Sequence, residues 1–282
     1  MRIALTSSNC PCSNVRAHFH VLTKPTTGEL PLAKSDIEKV LTVFAGISAG
    51  DVSLATRYVD HKRFVQHNPY AADGVEGLTQ FITQSPRDQL QLTMVRAFQD
   101  GCYVVTQVTG QRSGRNVFFD IFRFEHGLIV EHWAFSTEAA PPNESGHTQI
   151  DGPTEAKLSE DTDKNKSVIR KYYETVHITG DHSKIPHYVA ADQVRHEPGV
   201  RDGLAAFLRD LEVITQHRTI DEIKFVLGQG DFVFVAARGT HEGNPCAYID
   251  LYRVESEKII EHWGFPEEIP PLEETKNKNG ML

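Results

Sequence analysis

Residues 131–135 have the sequence EHWAF, and residues 261–265 have the sequence EHWGF. The two stretches lie 130 positions apart and contain the two tryptophans of the chain. Upstream of each tryptophan the likeness continues, since DIFRFE at 120–125 is answered by DLYRVE at 250–255 with the same spacing. Matched blocks in the same order and at one spacing indicate a tandem duplication.

The duplication extends towards the N-terminus and sets the domain boundaries. HNP at 67–69 is answered by HEP at 196–198, now 129 positions apart, so the second copy gains one residue between these blocks. A chain of 282 residues has room for two domains of ordinary size. We predict a weakly ordered leader (1–34), a first domain (35–137), a linker (138–164), a second domain (165–270) and a polar, disordered tail (271–282).

The charge of the chain indicates which classes of partner it is expected to bind. The formal net charge is −9, and Lys and Arg do not cluster as a phosphate-binding surface requires. No apolar run reaches the roughly 18 to 20 residues of a membrane span. Four cysteines give neither a disulfide framework nor zinc-ligand spacing, and Cys102 and Cys246 read as reduced structural residues. We therefore predict a soluble, cytoplasmic protein that binds neither nucleic acid nor membrane.

The periodicity predicts the same order of elements in each copy. Ser35 and Glu38 form a capping box before a helix that Gly50 ends, and the second copy has a matching apolar helix ended by Gly180. A short helix, a strand ending at a histidine, a third helix and four antiparallel strands follow. The predicted strands are 90–98, 102–109, 116–125 and 128–135, and then 219–227, 231–238, 246–255 and 259–265. This is an α+β pattern.

Alternation along the last two strands predicts a polar pair inside each domain. Asp120 and Phe122 share one face of their strand, and His132 and Ala134 share one face of the next. If the two strands form a hairpin, Asp120 and His132 face one cavity. A carboxylate beside an imidazole is a working acid/base pair, because it orients the ring and supports its charge.

Other readings of the same residues stay open. Asp120 and His132 can satisfy each other structurally, and two histidines with a carboxylate are also a non-haem iron ligand set. We read Asp73 and Asp202 as helix N-caps. Arg123 and Arg253 read as members of an ion-pair row, and the tryptophans as core or interface residues. The chain has no P-loop, dinucleotide fingerprint, nucleophile elbow or HExxH helix.

The blocks at 67–69, 120–125 and 129–133 resemble the SnoaL-like group of the nuclear transport factor 2-like superfamily. The resemblance covers nearly all of residues 36–136 and, less closely, 165–266. It implies two tandem cones, each with three helices on a strongly curved, mainly antiparallel sheet around a pocket. Relatives include polyketide cyclases, ketosteroid isomerase, scytalone dehydratase and limonene epoxide hydrolase, which run acid/base chemistry on apolar substrates, usually without a cofactor.

One position departs from the family. Members commonly continue the motif as Glu-His-Trp-Asp, whereas this chain has Ala134 and Gly264. Asp120 and Asp250 match the other family aspartate, so the resemblance implies chemistry through these carboxylates and the histidines. Family domains are generally homodimers packed sheet to sheet, which implies an intramolecular pseudo-dimer here and leaves further homo-oligomerisation undecided.

Three functions from different classes remain. The first is a cofactor-independent lyase, isomerase or cyclase acting on a small apolar carbonyl or hydroxyl compound, with no metal. The second is a non-catalytic ligand-binding protein, and the third a structural dimerisation protein with a filled cone. The predicted catalytic residues are His132, Asp120, His262 and Asp250. The predicted ligand-binding residues are His67, Asn68, Phe122, Ala134, His196, Tyr252 and Gly264.

Overall fold

A computed structural model of the protein describes residues 34–111 and 114–282. The predicted leader, residues 1–34, therefore lies outside the described residues except for Lys34. Cys102 and Cys246 are buried, and neither forms a disulfide with a cysteine of the described residues. Among the helices of the described part, none combines the length and the apolar character that crossing a membrane requires.

The described part of the first half contains three α-helices, a short 3-10 helix (Arg87–Leu90) and five strands. The α-helices and strands are α1 (Asp36–Ala49), α2 (Val52–Ala55), β1 (Val65–Gln66), α3 (Gly74–Gln84), β2 (Leu92–Asp100), β3 (Tyr103–Gln111), β4 (Arg115–Glu125) and β5 (Leu128–Glu138). The sheet order is β1-β5-β4-β3-β2. Strand β1 runs parallel to β5, and the other pairs are antiparallel.

The second half repeats this arrangement. It contains α4 (Thr162–Tyr172), a π-helical segment (Tyr173–Ile178), α5 (Ile185–Tyr188), β6 (Val189–Arg195), α6 (Leu204–Gln216), β7 (Arg218–Gln229), β8 (Phe232–His241), β9 (Asn244–Glu255) and β10 (Lys258–Glu268). Its sheet order, β6-β10-β9-β8-β7, has the same topology as the first. The predicted α+β class with two mainly antiparallel sheets is confirmed.

Helix α1 shows why these elements form where the sequence predicts. Ser35 Oγ accepts the backbone N–H of Glu38, and Glu38 Oε2 accepts the N–H of Ser35, which completes the capping box. Gly50, with φ +61°, ends the helix in the left-handed region that glycine adopts readily. Val40 and Val43 are buried on the face that packs against the sheet.

Each sheet has one face under its own helices and one face against the other sheet. The helix-covered faces form two separate apolar cores. A third core joins the opposite faces of the two sheets, with Phe119 against Phe234 at 5.6 Å between ring centroids and Trp133 against Phe225 at 5.0 Å. Trp263 belongs to the same core. The prediction that the tryptophans are core or interface residues is confirmed.

The predicted linker between the halves is packed against both of them. The Trp263 indole N–H donates to Asp151 O at 2.9 Å, and Arg96 Nη2 donates to Ile150 O at 3.0 Å. Asn143 Nδ2 donates to Arg195 O at 2.7 Å and is buried. Its polar composition thus serves backbone and side-chain hydrogen bonds across both halves, since buried polar groups must be paired.

The C-terminal tail is also ordered, contrary to the prediction of disorder. Asn277 Nδ2 donates to Asn68 O and Ala71 O, and Asn279 Nδ2 donates to Gln66 O. Met281 is buried in the core between the sheets. Asparagine is frequent in disordered chains, but here its amides bond the backbone of the first half.

Asp73 and Asp202 do not cap helices through their side chains. Asp73 stands at the N-cap position of α3 without a capping bond, and its Oδ1 accepts the N–H of Gln66 instead. Asp202 Oδ1 accepts the N–H of Arg195 in the same way. In each half the aspartate therefore fixes the strand that borders the pocket, which sequence spacing cannot distinguish from a cap.

Candidate functional site

The first cavity contains the predicted acid/base pair. Strands β4 and β5 pair so that Asp120 lies opposite Ala134 and Phe122 lies opposite His132. Asp120 and His132 are therefore diagonal neighbours on one face, and His132 Nε2 lies 2.9 Å from Asp120 Oδ1. The Phe122 ring stacks on the imidazole at 4.6 Å between centroids. The alternation argument is confirmed for this pair.

The pair lies at the polar end of an apolar cavity. The cavity has a volume of about 110 Å³ and is walled mainly by side chains of α1, α3 and the inner face of the sheet. Phe44, Phe64, Phe118 and Leu78 are among its apolar walls. Asn68 and Gln89 add uncharged polar groups to the lining. Such a cavity, apolar with a few convergent polar groups, is the usual form of a small-molecule site.

Gln66, which was not predicted, holds the other side of the imidazole. His132 Nδ1 lies 3.1 Å from Gln66 Oε1, and the same oxygen accepts the N–H of Asn68 at 2.9 Å. Because that oxygen is an acceptor, His132 donates from Nδ1, while Nε2 is bonded to the Asp120 carboxyl. Among the described residues, the second oxygen of Asp120 has no hydrogen-bond partner and can serve a ligand in the cavity.

His67 does not join this cluster, contrary to the prediction. Strand β1 pairs with β5 so that Gln66 stands beside His132, and alternation turns the next residue to the opposite face. His67 Nε2 bonds Glu131 Oε1 at 2.8 Å, and the ring stacks on Trp133 at 4.6 Å. The two-histidine, one-carboxylate iron ligand set considered from the sequence is therefore not assembled.

The second half builds an ionic network at the equivalent place. His262 Nε2 lies 2.7 Å from Asp250 Oδ1, as predicted, and Nδ1 lies 2.9 Å from Glu197 Oε1. Arg195 donates to the same Glu197 oxygen, and the Tyr173 hydroxyl donates to Asp250 Oδ2. In each half, one residue precedes the strand-ending histidine and one follows it. These positions hold Gln66 and Asn68 in the first half, and Arg195 and Glu197 in the second.

The charges of this network determine its protonation. Burial alone would lower the pKa of His262, but the charge of Glu197 and the hydrogen bonds that the ring donates to Asp250 and Glu197 outweigh burial and raise the pKa to about 9. Burial opposes ionisation of Glu197, yet the charges of His262 and Arg195 hold the pKa of Glu197 well below its usual range. His262 is thus a buried imidazolium between two carboxylates.

Of the other predicted residues in the second half, two belong to the network and one does not. Tyr252 stacks on His262 at 4.4 Å between centroids and lines the cavity. Gly264 lies opposite Asp250 in the β9–β10 ladder. His196 points to the other face, where its Nε2 bonds Glu261 Oε1 at 2.8 Å and its ring stacks on Trp263 at 4.5 Å. The reason is the same alternation that displaces His67.

Gly264 is required by the close packing of the network. A Cβ at this position would lie 2.3 Å from Asp250 Oδ1 and 3.0 Å from His262 Nε2. We expect Gly264→Ala to lower the free energy of unfolding by about 1–3 kcal/mol, the usual effect of overpacking. The reverse change, Ala134→Gly, opens the first cavity and should cost about 0.5–1 kcal/mol. Urea unfolding of both variants checks this, and an equal loss in the two would contradict it.

The predicted ion-pair row is present on the faces opposite the cavities. Arg123 bonds Glu125 and Glu131, each at 2.6 Å. Arg253 bonds Glu261 at 2.6 Å and Asp231 at 2.8 Å. Because Glu131 and Glu261 also hold the strand-ending histidines, each row fixes a histidine against its tryptophan. These groups are structural.

One cluster outside the cavities has the residue types of a metal site. His147, Asp151 and His196 bring ligand atoms within 4.8 Å of one another. Both carboxyl oxygens of Asp151 already accept from Thr148, and the two nitrogens of His196 bond Thr148 O and Glu261. A metal ion would have to break these bonds, so we assign none here.

Comparison with known proteins gives a family match within the first half and a set of solved structures that cover about a third of the chain. Residues 40–132 match the SnoaL-like domain family. No curated protein shows significant similarity to the chain. Among solved structures, a protein of the NTF-2-like type from Burkholderia xenovorans LB400, whose function is unknown, has 16% identity and a TM-score of 0.33 and covers 36% of this chain and 83% of its own.

Two further structures have comparable values. IdmH of Streptomyces antibioticus, described as a candidate polyketide cyclase, has 21% identity and a TM-score of 0.30 and covers 36% of this chain and 91% of its own. A protein of unknown function with a cystatin-like fold from Xanthomonas campestris has 26% identity and a TM-score of 0.33 and covers 37% and 92%.

Proposed function

We propose that the first half is a cofactor-independent acid/base enzyme of the lyase, isomerase or cyclase type, acting on a small, largely apolar carbonyl compound. The observation that carries the proposal is the His132–Asp120 pair, joined at 2.9 Å, at the polar end of a cavity of about 110 Å³. The pair provides a proton acceptor and a proton reservoir in contact with bound substrate.

The chemistry requires that a proton leave a carbon next to the carbonyl. Asp120 accepts this proton, and the C–H electron pair passes to the carbonyl oxygen, which becomes an enolate. His132 keeps the carboxyl oriented through Nε2 while Gln66 fixes the ring. The proton then returns to the same or another carbon. The side chains of Asn68 and Gln89 are the wall groups available to bond the enolate oxygen.

Apolar walls support this choice of substrate class. Phe44 and Phe122 occupy the positions of Tyr173 and Tyr252 in the second half. The first cavity therefore lacks the hydroxyl that occupies Asp250 Oδ2. Among the described residues, the Asp120 carboxyl bonds His132 alone, so its second oxygen is available to a ligand. An apolar site of this kind favours a substrate with one oxygen function.

The runner-up is a protein that binds such a compound without converting it. Ala134 favours it, because this position lines the cavity and carries no ionisable group. Proton exchange separates the two functions without knowledge of the natural substrate. A panel of cyclic ketones and enones is incubated with the full chain in D₂O, and the loss of α-proton signal is followed by NMR.

Accelerated exchange of at least one panel member is expected, because Asp120 removes and returns the α-proton. Saturable binding of a ketone at the background exchange rate would instead support the binding protein. Neither binding nor exchange across the panel would favour the structural alternative.

We further propose that the two halves act as an intramolecular pseudo-dimer. The apolar core between the sheets supports this, since it draws Phe119 and Trp133 from one half and Phe234 and Trp263 from the other. Halves that share such a core should unfold together, so calorimetry of the full chain is expected to give one transition. Two separated transitions would contradict the proposal.

A further inference from the structure

The second half contains a small cavity of its own, different in character from the first. It has a volume of about 50 Å³, lies next to His262 and Tyr252, and is lined by Gln193, Arg195 and Arg218. A wider opening of about 410 Å³ shares His177, His182 and Arg218 with it and gives access from outside. The inner volume corresponds to roughly three or four water-sized groups.

Three polar atoms on the cavity-lining side chains are buried without a partner among the described residues. They are Arg195 Nη1, Arg218 Nε and Gln193 Oε1. Arg195 is 5% exposed and Gln193 is 4% exposed. Nearly all buried polar groups are hydrogen-bonded in folded proteins, and an unpaired charged donor is especially costly. Two unpaired guanidinium N–H groups beside one cavity point to an anionic acceptor.

The charges around the cavity agree with this. Arg195, Arg218 and His262 carry positive charge, and Glu197 and Asp250 carry negative charge, so three cations face two anions. Burial, followed by the charge of Arg218, lowers the pKa of His177 to about 3, so this ring adds no charge. One further negative charge would balance the site.

We propose that this cavity binds a small carboxylate of two or three carbon atoms. Its oxygens accept from Arg195 Nη1 and Arg218 Nε, and Gln193 Oε1 accepts from a hydroxyl on the carbon next to the carboxyl. Charge-assisted bonds from two guanidinium groups suit the planar carboxylate. The inference is independent of the enzyme proposed for the first half.

The first half provides the internal comparison. Gln66 and Gln89 stand at the positions of Arg195 and Arg218, as the repeat spacing of 129 shows. Both glutamines are uncharged, and both line the larger apolar cavity. A small carboxylate should therefore bind the second cavity and not the first.

The test titrates the full chain with acetate and lactate, each against acetamide and lactamide as uncharged analogues, at constant ionic strength. Binding is followed by the ring signals of His262 and His132 in histidine-labelled protein. Saturable shifts of His262 with acetate and lactate, no shift of His132, and no response to the amides are expected. Tighter binding of lactate than acetate would support the role of Gln193.

Variants identify the binding groups. Arg218→Met keeps an apolar stem on the Tyr248 ring, over which the guanidinium lies at 4.0 Å, and should weaken acetate binding at least tenfold. Arg209→Met removes an exposed arginine outside the cavity and should leave binding unchanged. If Arg218→Met does not fold, the titration of the wild type with acetate, followed at the His262 ring signal, tests the proposal by itself.

Three outcomes would overturn the proposal. They are no saturable effect of acetate on His262, equal binding by Arg218→Met and the wild type, and displacement of acetate by equimolar chloride. The last outcome would identify a general anion site in place of a carboxylate site.

Discussion

Asp120→Asn is expected to lower α-proton exchange on any responsive ketone by about 10²- to 10⁴-fold, the usual contribution of a positioned general base. The substitution removes the group that accepts the proton. The asparagine keeps a side-chain oxygen that can accept a hydrogen bond from His132 Nε2. In the wild type, this nitrogen lies 2.9 Å from Asp120 Oδ1. Stability should therefore change little, and ketone binding should persist.

Asp250→Asn is the matched control, because Asp250 is the equivalent residue of the second half. It should leave exchange within about twofold of the wild type while lowering stability, since Asp250 is buried between His262 and the Tyr173 hydroxyl. NMR exchange rates and urea unfolding measure both quantities. Full exchange activity in folded Asp120→Asn would refute the assigned role of this carboxylate.

Glu197→Gln has the largest expected effect on stability. The change leaves the imidazolium of His262 and the guanidinium of Arg195 without the carboxylate that joins them, at 2.9 Å to His262. Removing one partner of a buried ion pair costs about 3–5 kcal/mol. Glu212→Gln removes the same charge from an exposed position on α6 and should change stability by less than about 0.5 kcal/mol.

The pH dependence follows from the direction of the shift at His262. Its pKa is about 9 in the folded protein and 6.5 without the network. A raised pKa means that protonation stabilises the fold, fully below pH about 6.5 and progressively less as the pH rises through about 9. The wild type should lose stability over that window, and the ring should titrate near pH 9. In Glu197→Gln the His262 pKa should fall and the loss should shift to lower pH.

Ring titrations and urea unfolding curves of the wild type, Glu197→Gln and Glu212→Gln check these expectations. Glu197 and Asp250 bond His262, and Tyr252 stacks on it. The other titratable or charged groups that line the same cavity are Tyr172, His177, His182, Arg195 and Arg218. An unchanged His262 titration in Glu197→Gln would show that another group raises its pKa.

Much of the fold can be predicted from the sequence, because each pattern of residues occurs twice, once in each half. The capping box of α1, the strand alternation and the turn residues predict elements that differ from the structure by a few residues at their ends. The Asp120–His132 and Asp250–His262 pairs follow from the same alternation, since an antiparallel hairpin places both members on one face.

The misassigned site residues share one physical cause. The short strand β1 pairs parallel to β5 across more than 60 residues of chain, and no local signal sets its register. A shift of one residue exchanges the two faces of a strand. The sequence therefore predicts His67 and His196 as ligand-binding residues. In the structure the residues just before them, Gln66 and Arg195, line the cavities.

The sequence contains an indirect sign that the cavities of the two halves differ in charge. The residues that flank the strand-ending histidine are neutral in the first half, Gln66 and Asn68, and charged in the second, Arg195 and Glu197. Only the pairing of β1 with β5 and of β6 with β10 shows that these flanking residues face inward. The order in residues 138–164 and in the C-terminal tail depends on single long-range hydrogen bonds, which periodicity does not encode.

Under the proposed function, the first half holds an apolar carbonyl ligand beside His132 and Asp120. The most direct measurement is a titration of histidine-labelled full chain with the most responsive cyclic ketone, followed by ring NMR. His132→Gln and His262→Gln assign the two signals. We expect a saturable change at His132 and none at His262. A ketone that shifts His262 alone, or that saturates without affecting His132, would contradict it.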